Sequence, residues 1–134
     1  MKMKSIIKVF CIITLCLALY SCNYVGPEVD VTEVVTEEVK NVTESAARVC
    51  ATTNMYSSNI EKFGFCYDFV PMPTISDKVV SFSVDEVYYL DNYSFNAVLK
   101  NLSPGETYYV RAFIQNEYSI AYGNEVAFTT KSSK

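Results

Sequence analysis

Leu102-Ser103-Pro104-Gly105-Glu106-Thr107-Tyr108-Tyr109-Val110-Arg111-Ala112-Phe113-Ile114 is the stretch that decides the fold. Its first half is turn chemistry, because proline presets φ and glycine tolerates the backbone angles that close a turn. Its second half alternates: Tyr108, Val110 and Ala112 point inward, while Tyr109, Arg111 and Phe113 point outward. That is the period of a strand. The same period spreads in both directions. Upstream it predicts strands over 31–38, 45–53, 60–67, 79–84 and 94–99. In the second, Ala47, Val49 and Ala51 alternate with Ala46, Arg48 and Cys50; in the third, Phe63, Phe65 and Tyr67 alternate with Lys62, Gly64 and Cys66. Pro71 and Pro73 interrupt the chain, and Phe95, Ala97 and Leu99 share one face of the fifth run. Downstream, 124–130 buries Val126 and Phe128. Seven such runs, separated by turn residues and without helical amphipathicity, predict an all-β sandwich.

The composition agrees. A chain of 134 residues has room for one domain and a targeting segment. Half of its residues are hydrophobic and 14% aromatic, which excludes a largely disordered chain. Eleven tyrosines and eight phenylalanines suit strands. Histidine is absent, which removes the usual general base, the commonest zinc ligand and any Ser-His or Cys-His dyad.

Residues 1–21 read as a signal peptide. Lys2, Lys4 and Lys8 precede an apolar run over 6–19, shorter than the roughly 20 residues that span a bilayer. Leu19-Tyr20-Ser21-Cys22 resembles the bacterial lipobox, which implies cleavage before Cys22 and lipidation of its thiol. Several acyl chains hold a protein durably on a membrane, since each buried methylene contributes about 0.8 kcal/mol. Residues 22–30, with Gly26 and Pro27, form the lipidated tether; 31–130 the domain; 131–134 a short tail. Losing the three lysines leaves eight basic groups against fifteen acidic ones, a net charge of −7. Such a balance argues against nucleic acid, whose phosphates are bound through Lys and Arg.

The stretch from Leu102 to Ala112 resembles the E–F corner and F strand of a fibronectin type III domain. Gly64-Phe65-Cys66-Tyr67, Pro73-Thr74-Ile75-Ser76 and the run from Tyr122 to Thr130 are similar to the fibronectin-like modules of Bacteroidetes lipoproteins. The resemblance implies an immunoglobulin-like Greek-key β-sandwich of about seven strands. It makes Tyr108 the residue of a tyrosine corner, its hydroxyl bonded back to the corner's backbone, and Leu102 its packing partner. Two departures stand out. The family's B-strand tryptophan is absent, leaving Phe and Tyr to supply its volume, and Glu106 replaces the more usual threonine.

In that fold Cys50 and Cys66 lie on strands of opposite sheets, both with outward parity. Sheets pack about 10 Å apart, whereas a disulfide needs Cα atoms within about 7 Å, so two free thiols are expected.

Residue chemistry offers little for catalysis. The acidic group Glu28, Asp30, Glu33, Glu37 and Glu38 reads as solvated edge charge that discourages strand addition. Asp85, Glu86 and Asp91 lack the spaced acidic pattern and turn glycine of a calcium loop. No metal, cofactor or catalytic residue is expected. The candidate binding groups are Tyr88, Tyr89 and Tyr93 before the fifth strand, and Gln115 and Tyr118 after the sixth, since loops at sandwich ends bind partners and tyrosine suits protein or glycan surfaces. The alternative is that these rings pack under their own loops.

The expectation is therefore a lipid-anchored, non-enzymatic interaction or spacer module of the bacterial envelope. A carbohydrate-binding accessory protein of a glycan-uptake system stands beside it. The anchor implies the outer membrane. The first acid, Glu28, comes six positions after Cys22, later than is usual in surface-exported lipoproteins, so the periplasmic and exterior faces both stay open.

Overall fold

A computed structural model describes residues 33–54, 60–83 and 93–134. They form eight antiparallel strands: β1 (Val34–Thr36), β2 (Ala47–Thr53), β3 (Lys62–Asp68), β4 (Lys78–Ser83), β5 (Ser94–Leu99), β6 (Thr107–Gln115), β7 (Ile120–Tyr122) and β8 (Val126–Thr129). One sheet has the order β1-β2-β5; the other has β4-β3-β6, with β7 and β8 both on the far side of β6. β7 covers residues 113–115 and β8 covers 107–110, so the two are halves of one interrupted strand. The interruption, at 123–125, is why a single run at 124–130 was expected where the chain makes two pairings.

The first strand is also shorter than its sequence pattern, only three residues, with its start at Val31 outside the described residues. Its pairing with β2 is extended by one isolated bridge, Lys40 with Arg48. The β5 run is that read from the sequence, with Phe95, Ala97 and Leu99 buried and their neighbours exposed.

The core lies between the sheets. Ala47, Val49, Ala51, Phe95, Ala97 and Leu99 from one sheet meet Phe63, Phe65, Tyr108, Val110, Ala112, Ile114 and Phe128 from the other. Aromatic rings supply much of the core's bulk. Phe95 packs on Phe63 and Phe65 with centroids 5.0 and 5.2 Å apart near one end of the sandwich. Tyr108 stacks on Phe128 at 5.7 Å and meets Phe69 at 4.6 Å near the other. Burying such rings dominates the stability of a small core.

Two glycines are dictated by geometry. Gly105, at φ +69°, closes the turn before β6 in the left-handed region. Gly64 lets β4 close on β3, because a Cβ there would lie 2.0 Å from the Val80 carbonyl oxygen.

Behind the second sheet lies a smaller buried layer that the alternation concealed. Cys66 and Phe113 have outward parity, yet they are 0% and 1% exposed. The segment 69–77 folds back over Cys66, with Pro73 fully buried on the layer. Outward therefore does not mean wet on β3 and β6. Cys50, on β2, is half-buried, and both it and Cys66 are free thiols on strands of different sheets.

Candidate functional site

The corner built by the opening stretch is closed by its tyrosine. The Ser103 amide donates to the Tyr108 hydroxyl at 2.8 Å, while Leu102 is buried and its amide donates to the Ser45 carbonyl. The Thr130 hydroxyl donates to the Ser103 carbonyl at 2.6 Å, tying the end of the domain to the same corner. These residues are structural, holding the end of the sandwich opposite to Glu33.

The residues read as binding groups separate. Cys22, Tyr88 and Tyr89 lie outside the described residues. Tyr93 precedes β5 with φ +59° and is 43% exposed. Gln115 ends β6, paired with Lys62 and Ile120, and its carbonyl accepts the Glu61 amide. Tyr118 stands out of the 116–119 turn at 87% exposure, and the Asn116 side chain accepts the amides of Tyr118 and Ser119 to form that turn. A hydrogen bond to Glu117 raises the Tyr118 phenol's pKa. Tyr93 and Tyr118 share the end at which β1 begins, since β5 starts beside Thr52 and Glu33 bonds Asn54 there. They sit on different sheets at that end.

A stronger feature is the proline-containing segment between β3 and β4. Segment 69–79 exposes Phe69, Val70, Met72, Ile75 and Val79 by 37% to 64%. Five partly exposed apolar side chains in one short stretch make it the candidate surface. The segment is also held. The Arg111 guanidinium donates to the Pro73 carbonyl at 3.3 Å and to the Gly123 carbonyl at 3.1 Å, with its carbon 4.5 Å from the Tyr122 ring centre. The Ile75 amide donates to the Tyr122 hydroxyl, the Met72 amide to the Glu125 carboxylate, and the Thr74 amide to Asp77. The Asp68 carboxylate accepts the Phe69 amide at 2.7 Å.

The carboxylates around this platform are thus turned onto its own backbone, leaving its apolar side chains presented. A surface ordered before binding loses less entropy on association. The available signal in the sequence was compositional. Phe69, Val70, Met72 and Ile75 occupy a loop where polar residues normally sit.

The layer beneath is chemically quiet. The Cys66 thiol lies 3.3 Å from the Pro73 carbonyl and 3.5 Å from the Arg111 carbonyl. Burial pushes its pKa up to about 11, outweighing the nearby Arg111 charge, so the thiol stays protonated at neutral pH. Among the described residues no three His, Cys, Asp or Glu side chains converge to hold a metal. The described residues line two shallow depressions. One lies by Glu33, Val35 and Asn54; the larger, about 490 Å³, lies between the sheets beside Val80, Phe82 and Ala97.

No protein-family model matches this chain, and no curated protein matches it. Solved structures do. The sensor domain of the anti-sigma factor RsgI4 from Pseudobacteroides cellulosolvens is 19% identical with a TM-score of 0.55, over 79% of this chain and 100% of that one. A computationally redesigned β-sandwich protein is 22% identical with a TM-score of 0.52, over 72% of this chain and 92% of that one. A fibronectin type III domain of the human KIAA0970 protein is 13% identical with a TM-score of 0.48, over 76% of this chain and 75% of that one. Likeness at these identities speaks for the fold alone. The class is defined by the fold itself: an all-β sandwich of two antiparallel sheets, its last strand broken in two.

Proposed function

We propose that this chain is a membrane-anchored bacterial lipoprotein whose sandwich is a non-catalytic protein-interaction module of the cell envelope. The observation that supports it most is the platform of Phe69, Val70, Met72, Ile75 and Val79, apolar, exposed and held by Arg111, Tyr122 and Glu125. Exposed aromatic, aliphatic and methionine side chains are what protein interfaces concentrate at their centres. The anchor rests on the sequence: the basic start, the apolar run and the Leu19-Tyr20-Ser21-Cys22 signal. Its membrane is the outer one, on the periplasmic or the exterior face.

Metabolic labelling with an alkyne fatty acid tests the anchor. The full chain takes up label, and Cys22→Ser abolishes it and moves the protein to the soluble fraction; an unlabelled parent chain sinks the reading. Crosslinking in intact cells tests the module, with a photoreactive group at position 72 capturing an envelope protein and one at position 48 serving as control. Protease shaving of intact cells reports the face.

The 87% exposure of Tyr118 favours a second reading, a carbohydrate-binding accessory lipoprotein of a glycan-uptake system. Glycan-array binding lost on Tyr118→Ala selects that reading over the first.

A further inference from the structure

We infer that the partner is bound as an added β-strand: an extended, acidic segment of a protein that pairs antiparallel with β4. This deepens the interaction-module reading and rests on it.

The backbone carries the first part. β4 pairs with β3 through six consecutive residues, from Lys62↔Ser83 to Tyr67↔Lys78, and with no other described strand. The register is unbroken, so no bulge twists this edge away. Between Val79 and Phe82 there is no proline and no charge. Edge strands are normally blunted by those devices, and β4 uses a single lysine at one end. Over 78–82 such a strand turns alternate N–H and C=O groups away from β3, a row that only another extended main chain satisfies repeatedly. That selects polypeptide over glycan or lipid.

Side chains carry the second part. Residues of an added strand alternate between the two faces of the sheet. On the outer face they continue the surface of Val79 and Ile75, 37% and 38% exposed. On the inner face they meet the cleft of about 490 Å³ lined by Tyr67, Val80, Phe82, Ala97, Val98, Lys100 and Asn101. The cleft is lined mostly by apolar side chains, so the segment is apolar at the alternate positions that face it and takes smaller polar groups such as threonine on the outer face.

Charge supplies the third part. Lys100 lines the cleft and Lys78 begins β4, while no carboxylate lines the cleft. Lys78 sits 5.1 Å over the Phe69 ring, and neither lysine has an ion pair among the described residues. On an otherwise acidic molecule these two cations mark one end of the groove. An antiparallel strand brings its carboxyl-terminal end beside Lys78, so its acidic residues belong there.

The probe is a synthetic peptide of about twelve residues, alternating valine and threonine and ending in two glutamates, titrated against the full chain in detergent by fluorescence anisotropy. Saturable binding is expected, with β4 amide exchange slowed in the complex. N-methylation of alternate peptide amides weakens binding by about ten-fold, since two or more main-chain hydrogen bonds are lost. A peptide ending in two lysines binds more weakly than the glutamate peptide, and Lys78→Glu with Lys100→Glu reverses that order. Lys100→Glu alone, on an exposed turn, narrows the difference should the double variant fold poorly. The inference is overturned by any of four results: no saturable binding, equal binding of the N-methylated peptide, an unchanged charge preference, or a free chain in which sedimentation shows a dimer that already protects the β4 amides. Loss of fatty-acid labelling or of envelope crosslinks would instead strike the underlying reading, independently of the peptide.

Discussion

The Tyr108 hydroxyl accepts the Ser103 amide at 2.8 Å while its ring stacks on Phe128, so one side chain joins a turn to the core. Tyr108→Phe keeps the ring and leaves a part-buried amide without its acceptor. A loss of about 1–3 kcal/mol in unfolding free energy is expected, measured by urea denaturation with an unchanged slope. Cys66 makes a second residue-scale case. Its folded thiol holds its proton up to about pH 11, whereas the unfolded, solvated thiol releases it near pH 9.0. Between those pH values the unfolded chain binds fewer protons, so the Cys66 contribution to stability, complete below pH 9, falls as pH rises through the folded value. Comparison of thermal unfolding for the parent and Cys66→Ala between pH 8 and pH 11 therefore gives a steeper decline for the parent. At neutral pH, native alkylation followed by peptide mapping modifies half-buried Cys50 well before buried Cys66.

At the scale of elements, Arg111 does more than its place in a strand suggests. It stands on β6 with outward parity, yet its guanidinium joins the 69–77 segment to the break between β7 and β8. Arg111→Met keeps much of the aliphatic packing and removes both bonds to carbonyls. Hydrogen exchange over 69–77 is then expected to accelerate by about ten-fold or more, while β2 and β5 amides keep their protection. Equal acceleration throughout would mean that the segment has no independent stability. The break itself is used structurally. The Asn124 side chain accepts the Thr36 amide and donates to the Thr36 carbonyl, and the Thr36 hydroxyl accepts the Ala112 amide. A three-residue β1 is thus attached to the opposite sheet as well as to β2. Residue spacing could not announce this, because the two partners are 88 positions apart.

For the whole molecule, the pairing of β2 with β5 and of β3 with β6 joins segments distant in the chain. Closing such long loops before any pairing is rewarded makes folding slow for the size. Stopped-flow refolding from urea is expected in the millisecond-to-second range, with fluorescence and circular dichroism changing together. A microsecond phase accounting for the full amplitude would contradict the topology. The charge of the chain belongs to this scale as well. Acidic groups outnumber basic ones, which keeps copies apart in solution, while Lys100 and Lys78 place two cations at one end of the cleft.

The sequence by itself determined the all-β class, most of the strand positions, the inward rows on β2, β5 and β6, and the corner around Leu102 and Tyr108. Those features are local: a period of two, a proline-glycine turn and a tyrosine set a few residues from its acceptor can all be read along the chain. Only the tertiary structure decided which outward residues are dry, where the last strand breaks, and which apolar side chains remain in view. Cys66 is buried because the loop from β3 to β4 folds back over it, and Met72 and Val70 are exposed because that loop is held on its other side. Periodicity reports the face of a strand to which a residue belongs. What covers that face depends on main-chain bonds between distant segments, and those exist only after the sandwich has closed.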